Sequence, residues 1–424
     1  MSDQGLPARK AAIYLLDQIL GEGRLMTELV QGKALEHLDP GDRARAQRLA
    51  TETLRGLERA DRMLQKHLRK YPPLTVRNAL RLGTYEICAL GEASHGVVNS
   101  IVEIVARGGK KTAHMKGLTN AVLRKIVEAG PDVWNEMRIP RLPKWLRGPL
   151  VEAWGADNVV AMEEAHFASV PLDITVKSDA RGWADKLGGE VLPSGTVRLR
   201  DAGQVSGLAG YEDGEWWVQD AAAAMPVQLL DIQQGEDVLD LCAAPGGKTL
   251  QAATPRARVT AVDISKKRMA RVRENLERCK LHAQTKSGDA LKLDGSYDAI
   301  ILDAPCSATG TMRRHPDLPH AKDGSEFGEL IELQAQLLDH ALNMLKPGGR
   351  MVYCTCSLLP DEGECQVEEI LNARSDVSVD RDALNRDWID AGWITEEGGL
   401  RLRPDFWAEK GGMDGFYIAV LRKA

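Results

Sequence analysis

A chain of 424 residues with 43% hydrophobic content can bury a large core and implies two or three domains. Its longest apolar runs fall short of a membrane span, and the N-terminus lacks a basic-then-apolar secretory segment, so a cytoplasmic protein with no membrane partner is expected. The seven cysteines are an odd number with close spacing only around Cys354 and Cys356, which excludes a disulfide framework and fits a reducing compartment. No second cysteine pair or histidine cluster stands at ligand spacing, so no metal site is expected. The net charge of −6 hides an asymmetry: residues 1–150 hold 25 Lys+Arg against 16 Asp+Glu, and the remainder 30 against 45. A positive segment on an acidic protein fits a nucleic-acid partner, and equally a solvated helical surface.

In chain order, residues 11–20, 43–57, 60–68, 75–90, 97–107 and 117–127 carry apolar positions at three- and four-residue spacing, the period of amphipathic helices. Breaks at Gly21-Glu22-Gly23, Asp39-Pro40-Gly41, Pro72-Pro73 and Gly108-Gly109 separate them, which implies a compact helical bundle. Gly130-Pro131 marks its end, and residues 141–168 read as further helix. A small α/β unit follows, with strands at 172–177, 196–199 and 216–218 and a helix near 183–187. From Ala221 strands and helices alternate: strands at 237–241, 259–263, 297–303 and 350–353, helices after Gly247, at 266–279 and around 330–345. Such alternation indicates a mostly parallel, doubly wound sheet.

Three strand ends carry the chemistry. The first strand runs into Cys242-Ala243-Ala244-Pro245-Gly246-Gly247-Lys248-Thr249. This is no P-loop, because Cys242 stands where that motif needs its first glycine. A Gly-rich turn after a first strand can instead let the backbone approach a nucleoside cofactor closely. The second strand ends in Asp263, placed either to take two ribose hydroxyls or to cap the next helix, for which Ser265 competes. Asp289, in Gly288-Asp289-Ala290, lies between the strands at 259–263 and 297–303, after a further strand expected there, and reads as a turn or as an acceptor for an adenine amino group. Cys88 and Cys279 fit buried packing. Cys306 and Cys356 do not, because each stands where an apolar run gives way to Ser, Thr and Pro. Asp303 shares the strand end with Cys306, and Lys248, Arg313 and Arg314 are candidate cations for activating a thiol. Two thiols and a cofactor turn at one sheet edge suit an enzyme that attacks a carbon through sulfur.

Cys242-Ala-Ala-Pro-Gly-Gly-Lys248, Asp303-Ala-Pro-Cys-Ser-Ala-Thr-Gly310, Arg313-Arg-His-Pro-Asp317 and Thr355-Cys-Ser357 together resemble the signature of RNA cytosine-C5 methyltransferases of the Sun/Fmu family. Val218-Gln219-Asp220 and Asp414-Gly415-Phe416-Tyr417 resemble its flanking motifs. The helical N-terminus, with Thr119-Asn120-Ala121-Val122-Leu123-Arg124, resembles the NusB-like RNA-binding domain of the bacterial subgroup that modifies 16S rRNA.

The resemblance implies a multidomain protein: an all-α NusB-like bundle at 1–135, linker helices and a small α/β RNA-binding subdomain at 136–220, and a Rossmann-like methyltransferase domain at 221–424. It implies S-adenosylmethionine against Cys242 to Lys248, with Asp263 at the ribose, Asp289 near the adenine and Asp303 by the methionine side. Cys356 resembles the nucleophile, and Cys306 the partner that releases methylated RNA. The expected product is 5-methylcytosine in 16S rRNA, and the expected partner is that RNA or a small-subunit assembly intermediate, bound by a monomer that takes no DNA. A tRNA cytosine-C5 methyltransferase and a non-catalytic ribosome-assembly factor are the alternatives. Cys354 departs from the family pattern as an extra thiol two residues before Cys356.

Overall fold

The computed structural model describes residues 5–200 and 202–424, which divide into two compact units. The first holds the chain up to Ala168 together with Met312–Asp323, and the second holds Ser169–Thr311 and Gly324–Ala424.

The first unit is helical. Leu6–Glu22, Met26–Gln31, Pro40–Arg55, Leu57–Gln65, Leu74–Cys88, Ser94–Arg107 and Lys116–Asn135 pack around a core that includes Leu15, Leu16, Leu49, Leu80, Ile101 and Leu123, and Lys144–Trp154 and Ala156–Phe167 follow. Asp39 starts the third of these helices by accepting the Asp42 N–H at 2.8 Å, with Pro40 in its first turn. Gly56 separates the third helix from the fourth, two residues before the break the sequence suggests. A Cβ there would lie 2.8 Å from the Tyr85 ring, so only glycine allows the approach. Gly130-Pro131 does not end the bundle. Gly130 takes φ 74°, the helix kinks, and it resumes to Asn135, where Trp134 returns to the core. An ion pair between Arg9 and Glu86 at 2.8 Å is buried within the bundle. Lys110, Lys111, Lys116 and Arg124 are exposed on its surface.

The segment Met312–Asp323 folds with this unit although the sequence places it between two strands of the sheet. Asp317 accepts the Met26 N–H at 2.8 Å, the Trp145 indole donates to the Pro319 carbonyl at 3.1 Å, and Arg55 donates to the Arg313 carbonyl at 2.9 Å. Residues 136–220, expected as one piece, divide at Ala168.

In the second unit, strands β1 (Leu172–Val176), β2 (Glu190–Val191), β3 (Val197–Leu199) and β4 (Trp216–Val218) make a small antiparallel sheet in the order β2-β3-β1-β4. The large sheet contains β5 (Asp237–Leu241), β6 (Arg258–Asp263), β7 (Gln284–Ser287), β8 (Tyr297–Asp303), β9 (Leu345–Thr355), β10 (Val377–Val379), β11 (Leu400–Leu402) and β12 (Phe416–Lys423). Its order is β10-β12-β9-β8-β5-β6-β7, with β11 also on β12. Strands β5 to β9 run parallel, and β12 returns antiparallel beside β9. Ala299 to Leu302 and Met351 to Cys354 are fully buried, as expected of strands covered on both faces. On one face, helix Ala221–Leu230 joins the core of Val238, Ile301 and Val352 through Ala222, Met225 and Leu229. On the other, Phe327–Asn343 covers Leu239, Ile300 and Met351. The antiparallel strands β10 to β12 go beyond the expected set, and β9 begins five residues before the predicted strand.

Candidate functional site

Every predicted site residue lies in the second unit, at or just beyond the carboxyl ends of β5 to β9. Open α/β sheets bind ligands at this edge. After β5 the chain turns through Cys242, which takes φ 61°, to Gly246 at φ 106°, and helix Gly247–Ala253 begins there. A Cβ on Gly246 would meet Val272 at 3.3 Å, and one on Gly247 would meet Gln219 at 3.3 Å. A side chain at either position would crowd those neighbours, so the turn is built of glycine. Burial, and then the carboxylates of Asp303, Asp263 and Asp240, push the Cys242 thiol up to about 12.

The Asp263 side chain is buried and accepts the N–H groups of Ala244 at 3.2 Å and Ser265 at 2.8 Å, and it pairs with the Arg268 guanidinium. Ser265, not Asp263, caps helix Lys266–Arg278, through its hydroxyl and the Arg268 N–H at 3.2 Å. Asp289 is more exposed and accepts the Leu291 N–H at 3.1 Å, opening a short 3₁₀ turn.

Parallel pairing sets Asp303 of β8 beside Cys354 of β9. Asp303 accepts from the Lys248 ammonium at 2.9 Å and from the Cys354 thiol at 3.6 Å. Burial works against the Lys248 charge, but Asp303, Cys354 and Cys356 outweigh it and raise its pKa. Cys354 is fully buried, and burial followed by Asp303 holds its thiol well above the usual range. Cys356 stands one residue past the end of β9, and its sulfur lies 3.4 Å from that of Cys306. The hydrogen bond to Cys356, then burial, keeps the Cys306 thiol well above its ordinary pKa. The candidate cation beside the thiols is Lys248; Arg313 belongs to the first unit.

Sequence reading missed two buried acids. Asp240, one residue before the end of β5, accepts from the Thr249 hydroxyl, and burial raises its carboxyl to about 7. Its Oδ1 has no hydrogen-bond partner among the described residues. An acid inside an apolar strand was the available signal. Glu362, in Pro360-Asp361-Glu362-Gly363, looks like a surface acid and is fully buried behind the thiols. Among the described residues, no three His, Cys, Asp or Glu side chains converge as a metal site. No helix of the described residues is long and apolar enough to cross a membrane.

A bare glycine turn and an orphaned buried carboxylate oxygen beneath it fit a polar nucleoside cofactor, and the sheet places them as Rossmann-like S-adenosylmethionine-dependent methyltransferases do. The profile described as "16S rRNA methyltransferase RsmB/F" matches residues 227–422, and that of the NusB family matches residues 6–128. The ribosomal RNA small subunit methyltransferase B of Yersinia enterocolitica is 32% identical over 458 residues, covering 98% of each chain. A crystal structure of PH0851 shares the fold, with TM-score 0.76 at 23% identity over 98% of this chain and 99% of that one. A methyltransferase homologue from Pyrococcus horikoshii aligns with TM-score 0.55 at 26% identity, over 65% and 94% of the two chains. The chain belongs to the RsmB/F family of 16S rRNA methyltransferases, enzymes that methylate rRNA with S-adenosylmethionine.

Proposed function

We propose that this enzyme methylates C5 of a cytosine in 16S rRNA through a covalent bond between Cys356 and C6 of the base. The observation that carries the reading is the pair of facing sulfurs at the sheet edge, 3.4 Å apart and served by the ion pair of buried Lys248 with half-buried Asp303. A methyltransferase acting on an already nucleophilic atom has no use for two such thiols. C5 of cytosine is a poor nucleophile, and addition of the Cys356 thiolate at C6 makes it an enamine carbon able to take a methyl group.

S-adenosylmethionine, when bound, supplies that methyl group as an electrophile. The turn from Cys242 through Ala243, Ala244, Pro245, Gly246 and Gly247 to Lys248 holds it, with Asp289 on the adenine side and Asp303 on the methionine side. The ribose hydroxyls take the place of Arg268 on Asp263, a guanidinium whose side chain is 51% exposed and free to leave. Asp303 stabilises charge developing at N3, and Lys248 balances the charge of the thiol pair. Cys306 then assists loss of the C5 proton and elimination of Cys356. The base must leave its stack to reach the sulfur, so an opened or single-stranded segment of RNA is the substrate.

In domain terms, residues 1–135 grip the phosphate backbone through exposed cations such as Lys110, Lys111 and Lys116, residues 136–220 add RNA contacts, and 221–424 carry out catalysis. Bisulfite sequencing of rRNA and tRNA from cells with and without the gene tests the reading. One 16S cytosine should lose its protection in the deletion strain; loss confined to tRNA, or no loss, overturns it.

Asp263→Ala should weaken S-adenosylmethionine binding at least about tenfold by calorimetry, because charge-assisted hydrogen bonds contribute roughly 1.5–3 kcal/mol each. Unchanged affinity would leave Asp263 only the task of holding the Ala244 turn.

A further inference from the structure

We infer that Glu362 is a positioning residue for both thiols, clamping the loop of Cys306 to the strand end of Cys356 from the side away from the sulfurs. The inference rests on the two-thiol reading above. Glu362 touches neither sulfur, yet it binds both segments. Its carboxylate accepts the Ser307 N–H at 2.8 Å, the Ser307 hydroxyl, and the Gln334 amide at 3.0 Å. Gln334 also donates to the Pro305 carbonyl at 2.8 Å, so the residues on either side of Cys306 are held. The main-chain carbonyl of Glu362 accepts the hydroxyls of Tyr353 at 3.0 Å and Thr355 at 2.9 Å, which fixes β9 just before Cys356.

Further bonds close the clamp. The Ser307 and Thr309 hydroxyls each lie 3.2 Å from the Ser357 hydroxyl, and the Gly310 N–H donates to the Cys356 carbonyl at 2.9 Å. Arg401 binds the Ser357 carbonyl and pairs with Glu364. A fully buried acid with three donors on its carboxylate has no surface role, and its removal would leave the Ser307 N–H unpaired in the interior. Two sulfurs that must reach one pyrimidine ring from fixed positions need this precision, since misplacement by about 1 Å costs on the order of 100-fold in rate.

The charge of Glu362 also bears on the division of labour. Titratable groups facing Cys306 are Cys356, Glu362 and Tyr353, and after the Cys356 hydrogen bond and burial, the Cys356 and Glu362 charges raise the Cys306 thiol further. A carboxylate on the Cys306 side therefore favours the protonated form of that thiol.

The test uses full-length Glu362→Ala and Glu362→Gln on 16S rRNA transcript, with Cys306→Ala alongside. In Glu362→Ala, kcat should fall by about 100-fold while KM for S-adenosylmethionine stays within about threefold. Glu362→Gln, whose amide oxygen still accepts the Ser307 N–H, should recover about tenfold of that loss. In Glu362→Gln the pH midpoint for iodoacetamide labelling of Cys306, followed on its peptide by mass spectrometry, should move down, which a purely structural residue would not cause. A kcat within about threefold of wild type, a loss confined to KM, or an unmoved midpoint overturns the inference. Should Glu362→Ala fail to fold, Glu362→Gln decides by the same midpoint and kcat. A covalent RNA adduct in Cys306→Ala beside normal turnover in Glu362→Ala overturns this inference alone, whereas no adduct in Cys306→Ala overturns the two-thiol chemistry itself.

Discussion

Cys356→Ala is expected to abolish methyl transfer, by roughly four orders of magnitude or more, while S-adenosylmethionine binds within a few-fold of wild type. The split follows from geometry. Cys356 lies beyond the end of β9 against Cys306, whereas the proposed cofactor cradle is the turn after β5 together with Asp263 at the end of β6. Removing one sulfur takes away the nucleophile and leaves that cradle intact. Incorporation of labelled methyl into 16S rRNA measures the first effect and calorimetry the second. Cys354→Ala is the control, because its thiol is fully buried and turned to Asp303. Full turnover by Cys356→Ala would remove the nucleophile from this residue.

The strands that carry the chemistry were legible because β8 and the end of β9 are covered on both faces, so burial demands continuous apolar runs that end abruptly where solvent begins. Turn chemistry made the glycine turn after β5 and the helix start at Gly247 equally plain. Other features depend on pairings that no local pattern encodes. Residues 416–421 are as apolar as 297–302, yet nothing nearby says that they return antiparallel beside β9. Glu362 sits among Pro, Asp and Gly as an ordinary surface acid would, and its carboxylate's partners, Ser307 and Gln334, stand 55 and 28 residues away in sequence. Met312–Asp323 follows directly on the Cys306 motif, but Asp317 finds its donor at Met26, 291 residues away in sequence. For Asp263 the sequence left two roles open. The structure gives the cap to Ser265 and fills the Asp263 carboxylate with backbone N–H groups and Arg268.

Cys306→Ala should give a protein that attacks and methylates its cytosine but does not let go. In the resting site the Cys306 proton is held chiefly by its hydrogen bond to Cys356, next by burial, and then by the neighbouring Cys356 and Glu362 charges. Once Cys356 has added to C6 it is a neutral thioether. The hydrogen bond to a thiolate and the adjacent charge are both gone, so the Cys306 pKa falls at the step when a base is needed for the C5 proton. Consumption of one thiol thus readies the other, and at 3.4 Å between sulfurs the second is within reach of the same ring. Without Cys306 the loss of the C5 proton is slowed, and the Cys356–C6 bond persists. A denaturing gel with labelled RNA should show little retarded protein for wild type, a strong covalent band for Cys306→Ala, and none for Cys306→Ala with Cys356→Ala. A band in the double variant would assign addition to Cys354, which must then abandon its bond to Asp303 and its fully buried place in β9. Near-normal turnover by Cys306→Ala with no band would make Cys306 a packing residue and end the two-thiol account.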